Sequence, residues 1–175
     1  VRAMGRLSGI PNIVDIHHAP FTTDGRPCIV MPYIDGGSLD DVLQGHGQLP
    51  VDNVLQMGRE VARALDAAHR QGIFHRDVKP ANIYVCRMGL EYDFVKVLDF
   101  GLVKVNSDRA QLGQTLLTAE QKTTGTPAYM APEIILGEAK VDRRAAVYAL
   151  GCVAYYLLTG QLVFDITLHS FSNSP

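Results

Sequence analysis

Disulfide chemistry has little to draw on in this chain: three cysteines, Cys28, Cys86 and Cys152, stand far apart in 175 residues. An odd, scattered set argues against a disulfide framework and against a clustered zinc site, and it fits a reducing, cytoplasmic setting. Blocks of basic residues are also missing. With a formal net charge of −2 there is no electrostatic footprint for nucleic acid. The opening "VRAMGRLSG" has neither the apolar core of a secretory leader nor an initiating Met, so a fragment of a longer protein is expected. No internal repeat or low-complexity segment occurs. Long apolar runs are limited to one, "AAVYALGCVAYYLLTGQLVF" at 145–164, uncharged over a length that could cross a bilayer. Gly160 after Leu157-Leu158 reads as a helix C-cap that leaves only about fifteen helical residues, too few to span. A helix buried on all sides, and no membrane span, is the expectation.

What is present is ordinary for a globular domain or a piece of one, with 47% hydrophobic and 19% charged residues. Residues 2–8 read as the end of a helix stopped by Gly9 and Pro11. "NIVDIHHAPF" and "RPCIVMPYI" read as two strands joined through "TTDG" as an antiparallel pair. In "DGGSLDDVLQ" a Gly-Gly link precedes Ser38, which is placed to N-cap a short helix with Asp40 and Asp41 in its first turn. Val54, Met57, Val61, Leu65 and Ala68 recur at helical spacing, which predicts a helix from about Val51 to Gln71 that Gly72 ends. "NIYVC" and "FVKVLDF" read as short strands. Residues 102–128 lack a period and are rich in Thr, Gln and Gly, so a long loop of functional importance is expected there.

The stretch "FHRDVKPANIYV", 74–85, crowds His75, Arg76, Asp77, Lys79 and Asn82 between apolar flanks. Buried or half-buried charge is costly unless it is paired or used. Pro80 rules out a helix that would stack these side chains and argues against a ladder. A loop anchored by Ile73-Phe74 and Ile83-Tyr84-Val85 remains, and polar loops held this way are where chemistry concentrates. Asp99, in "VLDFGLV", joins Asp77 and Asn82 only if the two short strands form a hairpin. Hard oxygen donors of this kind suit Mg²⁺ carrying phosphates.

In order, "HRDVKPAN" (75–82), "DFG" (99–101) and "GTPAYMAPE" ending at Glu133 resemble the signature set of eukaryotic-type (Hanks-type) serine/threonine protein kinases, most closely the bacterial ones. "IVMPYIDGGSLDDVL" is similar to the family's hinge. The resemblance implies an α+β, protein-kinase-like fold: mostly the helical C-lobe, with the hinge and two N-lobe strands, running from the end of the αC helix to αF. Residues 1–34 would be the N-lobe remnant, 35–164 the C-lobe and 165–175 a tail without pattern. It further implies a transferase that moves the γ-phosphate of Mg-ATP to protein Ser/Thr hydroxyls. Asp77 would be the catalytic base and Lys79 would steady the transferring phosphoryl. Asn82 and Asp99 would hold Mg²⁺, and His75 and Phe100 would pack in an internal spine. Met31 would be the gatekeeper, the backbones of Pro32 and Ile34 would meet adenine, and Tyr84 would lie under its ring. Thr126 would face the substrate groove. Arg76 would receive a phosphate placed on Thr123 or Thr124.

The same comparison marks departures. A glycine-rich loop, the N-lobe Lys and the αC Glu are not found, and Glu133 is expected to lack its usual Arg partner. Ile13, Val14, Ile29 and Val30 would belong to a sheet only partly present. Ala146 stands where the family's αF helix carries an Asp that accepts backbone hydrogen bonds from the catalytic loop. A pseudokinase that binds nucleotide or partners without transfer is therefore the alternative, and a membrane-anchored structural piece a distant third.

Overall fold

Glycine and proline positions set the first bends of the chain. The computed structural model describes residues 4–100, 126–136 and 142–164. Met4–Leu7 forms a single 3-10 turn where a helix end is expected, because Gly9 (φ 80°) and Pro11 follow at once. Leu7 is nevertheless sealed in the core. The two runs expected as strands do run antiparallel, but they meet only at isolated bridges, His18–Val30 and Phe21–Pro27. Pro20 and Pro27 bring no N–H to the pairing, so a regular ladder cannot extend. Ile13 and Val14 are buried, Ile13 bridging Val97 in parallel, whereas Ile29 and Val30 are exposed.

A three-stranded antiparallel sheet carries the centre, in the order β1 (Gly36–Ser38), β2 (Ile83–Met88), β3 (Glu91–Val97). β2 and β3 form the hairpin that the placement of Asp99 requires, with Ile83 opposite Val97. β1 is a surprise, since "GGS" has almost no strand propensity. Its glycines let the backbone lie close: Gly36 pairs with Cys86, and a Cβ there would stand 2.1 Å from the Val85 carbonyl oxygen. Gly36→Ala is accordingly expected to lower stability by about 3 kcal/mol, since backbone must move. Gly45→Ala, whose Cβ meets nothing within 4 Å inside a helix, is the control that should not destabilise. Thermal melts of a soluble protein carrying this segment compare the two. Equal melting temperatures would refute the close-approach argument.

Helix α1 (Leu39–His46) starts with a full capping box, Ser38 Oγ accepting from the Asp41 amide and Asp41 Oδ2 accepting from the Ser38 amide. Helix α2 (Val51–Arg70) buries Val54, Met57, Val61, Ala64, Leu65 and Ala68 against β3 and against a later helix, and Gly72 (φ 72°) turns the chain out of it. Thr126–Tyr129 is a 3-10 turn, followed by the single helical turn α3 (Pro132–Ile135). α4 (Arg143–Thr159) ends, as its sequence predicts, at Gly160 in the left-handed conformation, and it starts two residues ahead of the apolar run, capped by Asp142. It is not buried on all sides. Ala145, Ala149, Cys152, Val153 and Leu157 face the core, while Val147, Tyr155 and Leu158 remain exposed among the described residues. Among those residues no helix is long and apolar enough to cross a membrane.

One polar network ties the N-terminal segment to this frame. Glu60 Oε2 on α2 accepts from the Val95 amide (2.8 Å) and from Asn12 Nδ2 (3.1 Å), while Asn12 Nδ2 also donates to the Val95 carbonyl. The carboxylate and amide satisfy each other and the strand backbone in partly buried surroundings, where an unmet group would be costly.

Candidate active site

The loop between α2 and β2 is fixed from below by apolar anchors and from within by one histidine. Ile73 and Val78 are buried, and Pro80 begins a 3-10 turn, Pro80–Asn82, that leads straight into β2. His75 is 3% exposed. Its Nε2 donates to the Leu98 carbonyl at 2.7 Å, and its Nδ1 accepts from the Asp77 amide at 3.3 Å, which defines the neutral tautomer. The ring meets the Phe100 ring edge-on, centroids 4.7 Å apart. His75 thus spans the 74–82 loop and the residues after β3 as a packing and hydrogen-bonding post.

Burial holds the His75 pKa below its ordinary value of 6.5, outweighing the Leu98 hydrogen bond and the nearby Asp77 and Asp99 charges. An imidazole with a lowered folded-state pKa binds fewer protons than it does unfolded. Its contribution to stability is therefore complete above about pH 6.5 and declines as pH falls below that toward the lower folded-state value. Denaturant melts between pH 7.5 and 5 are expected to show this decline, and His75→Gln to flatten it. An unchanged slope in the variant would assign the effect to other groups.

Above this post the polar side chains converge. Asp77 Oδ2 pairs with Lys79 Nζ at 2.7 Å, both side chains less than one-third exposed. Asn82, buried, donates from Nδ2 to the Asp77 carbonyl (2.9 Å) and to Asp77 Oδ2 (3.2 Å). Its Oδ1 is left as a hard oxygen donor. The Asn82 backbone carbonyl accepts from the Leu98 amide at 2.9 Å, which sets Asp99 beside the turn. Arg76 (φ 66°) and Asp99 (φ 60°) both adopt the left-handed region, at about 1 kcal/mol or more for each non-glycine residue. Such strain persists where surrounding structure enforces it, and here it flanks the convergent groups on both sides.

Asp99 is exposed, with no ion pair among the described residues. No cluster of three His, Cys, Asp or Glu side chains occurs among those residues. A divalent cation would therefore rest on two protein oxygens, from Asn82 and Asp99, and on oxygens brought by its ligand. That donor set fits Mg²⁺ with a polyphosphate, because the ion dehydrates reluctantly and prefers few protein ligands.

The other expected residues are placed more loosely. Met31 and Ile34 are half-buried and Pro32 exposed on the segment entering β1, while Tyr84 is half-buried on β2 opposite Ser38. Thr126 opens its 3-10 turn, and Thr123 and Thr124 lie outside the described residues. Arg76 is exposed, and Glu133 has no ion pair within 4 Å among the described residues.

Two residues stand out only in the structure. Asp40, whose position suggests helix capping alone, is half-buried near Lys79. Burial, then Asp41, pushes its carboxyl above the usual range, and Lys79 opposes them. His69, near the end of α2, packs on Phe74, yet its Nε2 is buried without a hydrogen-bond partner among the described residues. A histidine at a helix end gives no sequence signal of this. His69 and Ala146 line one cleft with His75, Arg76 and Asp77, behind the 74–82 loop.

Comparison with known proteins supplies the family. The family model described as "Protein kinase domain" matches residues 1–173. The serine/threonine-protein kinase PknK of Mycobacterium tuberculosis is 39% identical over 164 residues, covering 94% of this chain and 14% of that protein. Pkn1 of Myxococcus xanthus is 43% identical over 159 residues, covering 91% and 22%. The crystal structure of the Mycobacterium tuberculosis PknI kinase domain superposes with a TM-score of 0.69 at 32% identity, over 94% of this chain and 56% of that one. The chain thus spans a quarter or less of these curated relatives' length and just over half of a solved kinase domain. By family model, relatives and fold together, the chain belongs to the protein kinase domain family, among the bacterial Hanks-type serine/threonine kinases.

Proposed function

We propose that this segment is the phosphoryl-transfer floor of a serine/threonine protein kinase, acting with Mg-ATP on Ser/Thr hydroxyls of a protein substrate. The observation that carries the reading is the Asp77–Lys79–Asn82 cluster, hydrogen-bonded within itself and set beside Asp99 by the Leu98–Asn82 bond. Asp77 orients the acceptor hydroxyl and takes its proton. Lys79, held against that carboxylate, stabilises negative charge on the transferring group. Asn82 and Asp99 would hold Mg²⁺, which neutralises phosphate charge when bound. Tyr84 and the Met31–Ile34 segment would seat adenine, and Thr126 the substrate backbone.

The test is transfer of labelled γ-phosphate to a generic basic protein by a longer protein that carries this segment. Phosphoserine or phosphothreonine is expected, with loss of signal on chelation. Phosphotyrosine, or transfer indifferent to chelation, would overturn the reading. Autophosphorylation is expected on Thr123 or Thr124, where charge-assisted bonds to Arg76 would order the segment. Mass spectrometry after incubation with Mg-ATP checks this, and phosphate found only outside 102–130 would count against it.

Ala146, and the His69 Nε2 that lacks a hydrogen-bond partner among the described residues, favour the second reading, a pseudokinase that binds nucleotide without transfer. Nucleotide binding with no transfer from a complete domain would select it.

A further inference from the structure

The outer edge of β3 is finished partly by side chains. β2 pairs with one edge of this strand, and residues 12–14 cover the other only near its end. There the Val97 amide donates to the Asn12 carbonyl at 2.9 Å, and the Val97 carbonyl accepts from the Val14 amide at 3.1 Å. At Val95, which is fully buried, side chains take over. Glu60 Oε2 on α2 accepts from the Val95 amide at 2.8 Å and from Asn12 Nδ2 at 3.1 Å, and Asn12 Nδ2 donates to the Val95 carbonyl at 3.0 Å. Asp99 follows Val97 by two residues. Leu98 between them is pinned on both sides, its amide by the Asn82 carbonyl at 2.9 Å and its carbonyl by His75 Nε2 at 2.7 Å. Asp99 then turns left-handed, so its carboxylate goes where the end of β3 directs it.

We infer that Glu60 is a positioning residue for Asp99: with Asn12 it fixes the outer edge of β3, and through that strand it sets the carboxylate that holds the metal. The inference rests on the reading of Asn82 and Asp99 as the Mg²⁺ holders. Without the Glu60 carboxylate, the Val95 amide and the Asn12 side-chain amide lose an acceptor in partly buried surroundings. The strand must then shift, or admit water, to satisfy them. Groups that orient a metal-holding side chain typically change metal affinity ten- to a hundredfold when removed.

The test measures binding of a non-hydrolysable ATP analogue to a longer protein carrying this segment, with Mn²⁺ and with a chelator. Mn²⁺ should tighten binding in the wild type, and Asp99→Asn should lose most of that gain. Glu60→Leu should shrink the gain by roughly tenfold while leaving metal-free binding unchanged. Glu60→Gln, whose Oε1 accepts from the same two donors, should keep it. Val54→Ala, a cavity-forming change on the same helix, should lower the melting temperature and leave the gain intact. Amide hydrogen exchange in the ligand-free protein should quicken over 95–98 in Glu60→Leu but not in Glu60→Gln. Asn12→Ala removes the same network from its other side and should behave as Glu60→Leu, which keeps the test decisive where that variant fails to fold. A metal-dependent gain equal to wild type in Glu60→Leu or Asn12→Ala, or one lost as fully in Val54→Ala, would overturn the positioning role and leave the reading of the site standing. No gain from Mn²⁺ in the wild type would overturn both.

Discussion

Replacement of Asp77 by Asn, in a longer protein carrying this lobe, is expected to cut kcat about a thousandfold while leaving the melting temperature nearly unchanged. The asymmetry follows from what the side chain does in each role. As a structural group it accepts from Lys79 Nζ and from Asn82 Nδ2, and an asparagine Oδ1 at the same place still accepts from either. As a base it must take a proton from the acceptor hydroxyl, which a neutral amide cannot do at any ordinary pH. KM for ATP should change little, because Asp77 is not among the groups expected to hold nucleotide or metal. Steady-state kinetics at saturating Mg-ATP, with a melt of each protein, checks both halves. A loss below about tenfold would remove Asp77 from the role of base. A large drop in melting temperature would mean that the carboxylate charge chiefly holds the loop together.

How far the sequence forecast such a site varies with the kind of signal. α2 and α4 were legible because an apolar pattern and a terminal glycine, Gly72 or Gly160, are signals carried within the helix and at its end. The hairpin that places Asp99 beside Asn82 was legible for a similar reason, two apolar runs flanking "RMGLEYD". What escaped notice rests on contacts between distant segments. β1 exists because Gly36 lets its backbone approach Val85, and no local propensity in "GGS" encodes that. The expected N-terminal strand pair shrank to isolated bridges, since prolines at 20 and 27 matter only once the partner strand is known. The gap at Ala146 could be named from the family pattern, but its orphan could not. That His69 Nε2 lacks a hydrogen-bond partner among the described residues depends on how α2 packs near α4, which spacing along the chain does not state.

Ala146 also changes how the loop's strain should be weighed. Arg76 and Asp99 hold left-handed backbones on either side of the cluster, and something must oppose their relaxation. The described contacts that do so are His75, bonded at both ring nitrogens, and Asn82, bonded at both its side chain and its carbonyl. Both act from the β3 side of the loop. Support from the α4 side is thin among the described residues, so positional error in Asp77 is the expected cost. An error near 1 Å at a reacting group is enough to slow a reaction about a hundredfold.

The chain of residues 1–175, expressed alone, is expected to transfer no phosphate to protein above an Asp77→Ala control. Phosphoryl transfer depends on holding the phosphates in line and on cations that neutralise developing charge. These residues supply Asp77, Lys79, Asn82 and Asp99, but they contain no glycine-rich loop and no lysine placed to grip the phosphates from above. The solved kinase domain it matches is covered only to 56%. ATP would be held by a few contacts along Met31–Ile34 and Tyr84, with water free to reach the γ-phosphate. Exposed apolar side chains add a second obstacle. Ile29 and Val30 are about two-fifths exposed, Phe21 is 73% exposed and Tyr33 is 91% exposed, all on the segment ahead of β1. On α4, Val147, Tyr155 and Leu158 are uncovered among the described residues. Patches of this kind promote association, so aggregation is expected alongside inactivity. Ile13 and Val14, packed against Val97, do not contribute to it. The measurement is transfer of labelled γ-phosphate to a generic basic protein, with light scattering on the same sample. Robust transfer by the 175-residue chain, lost in the Asp77→Ala control, would show that the lower lobe suffices and that the missing roof is dispensable.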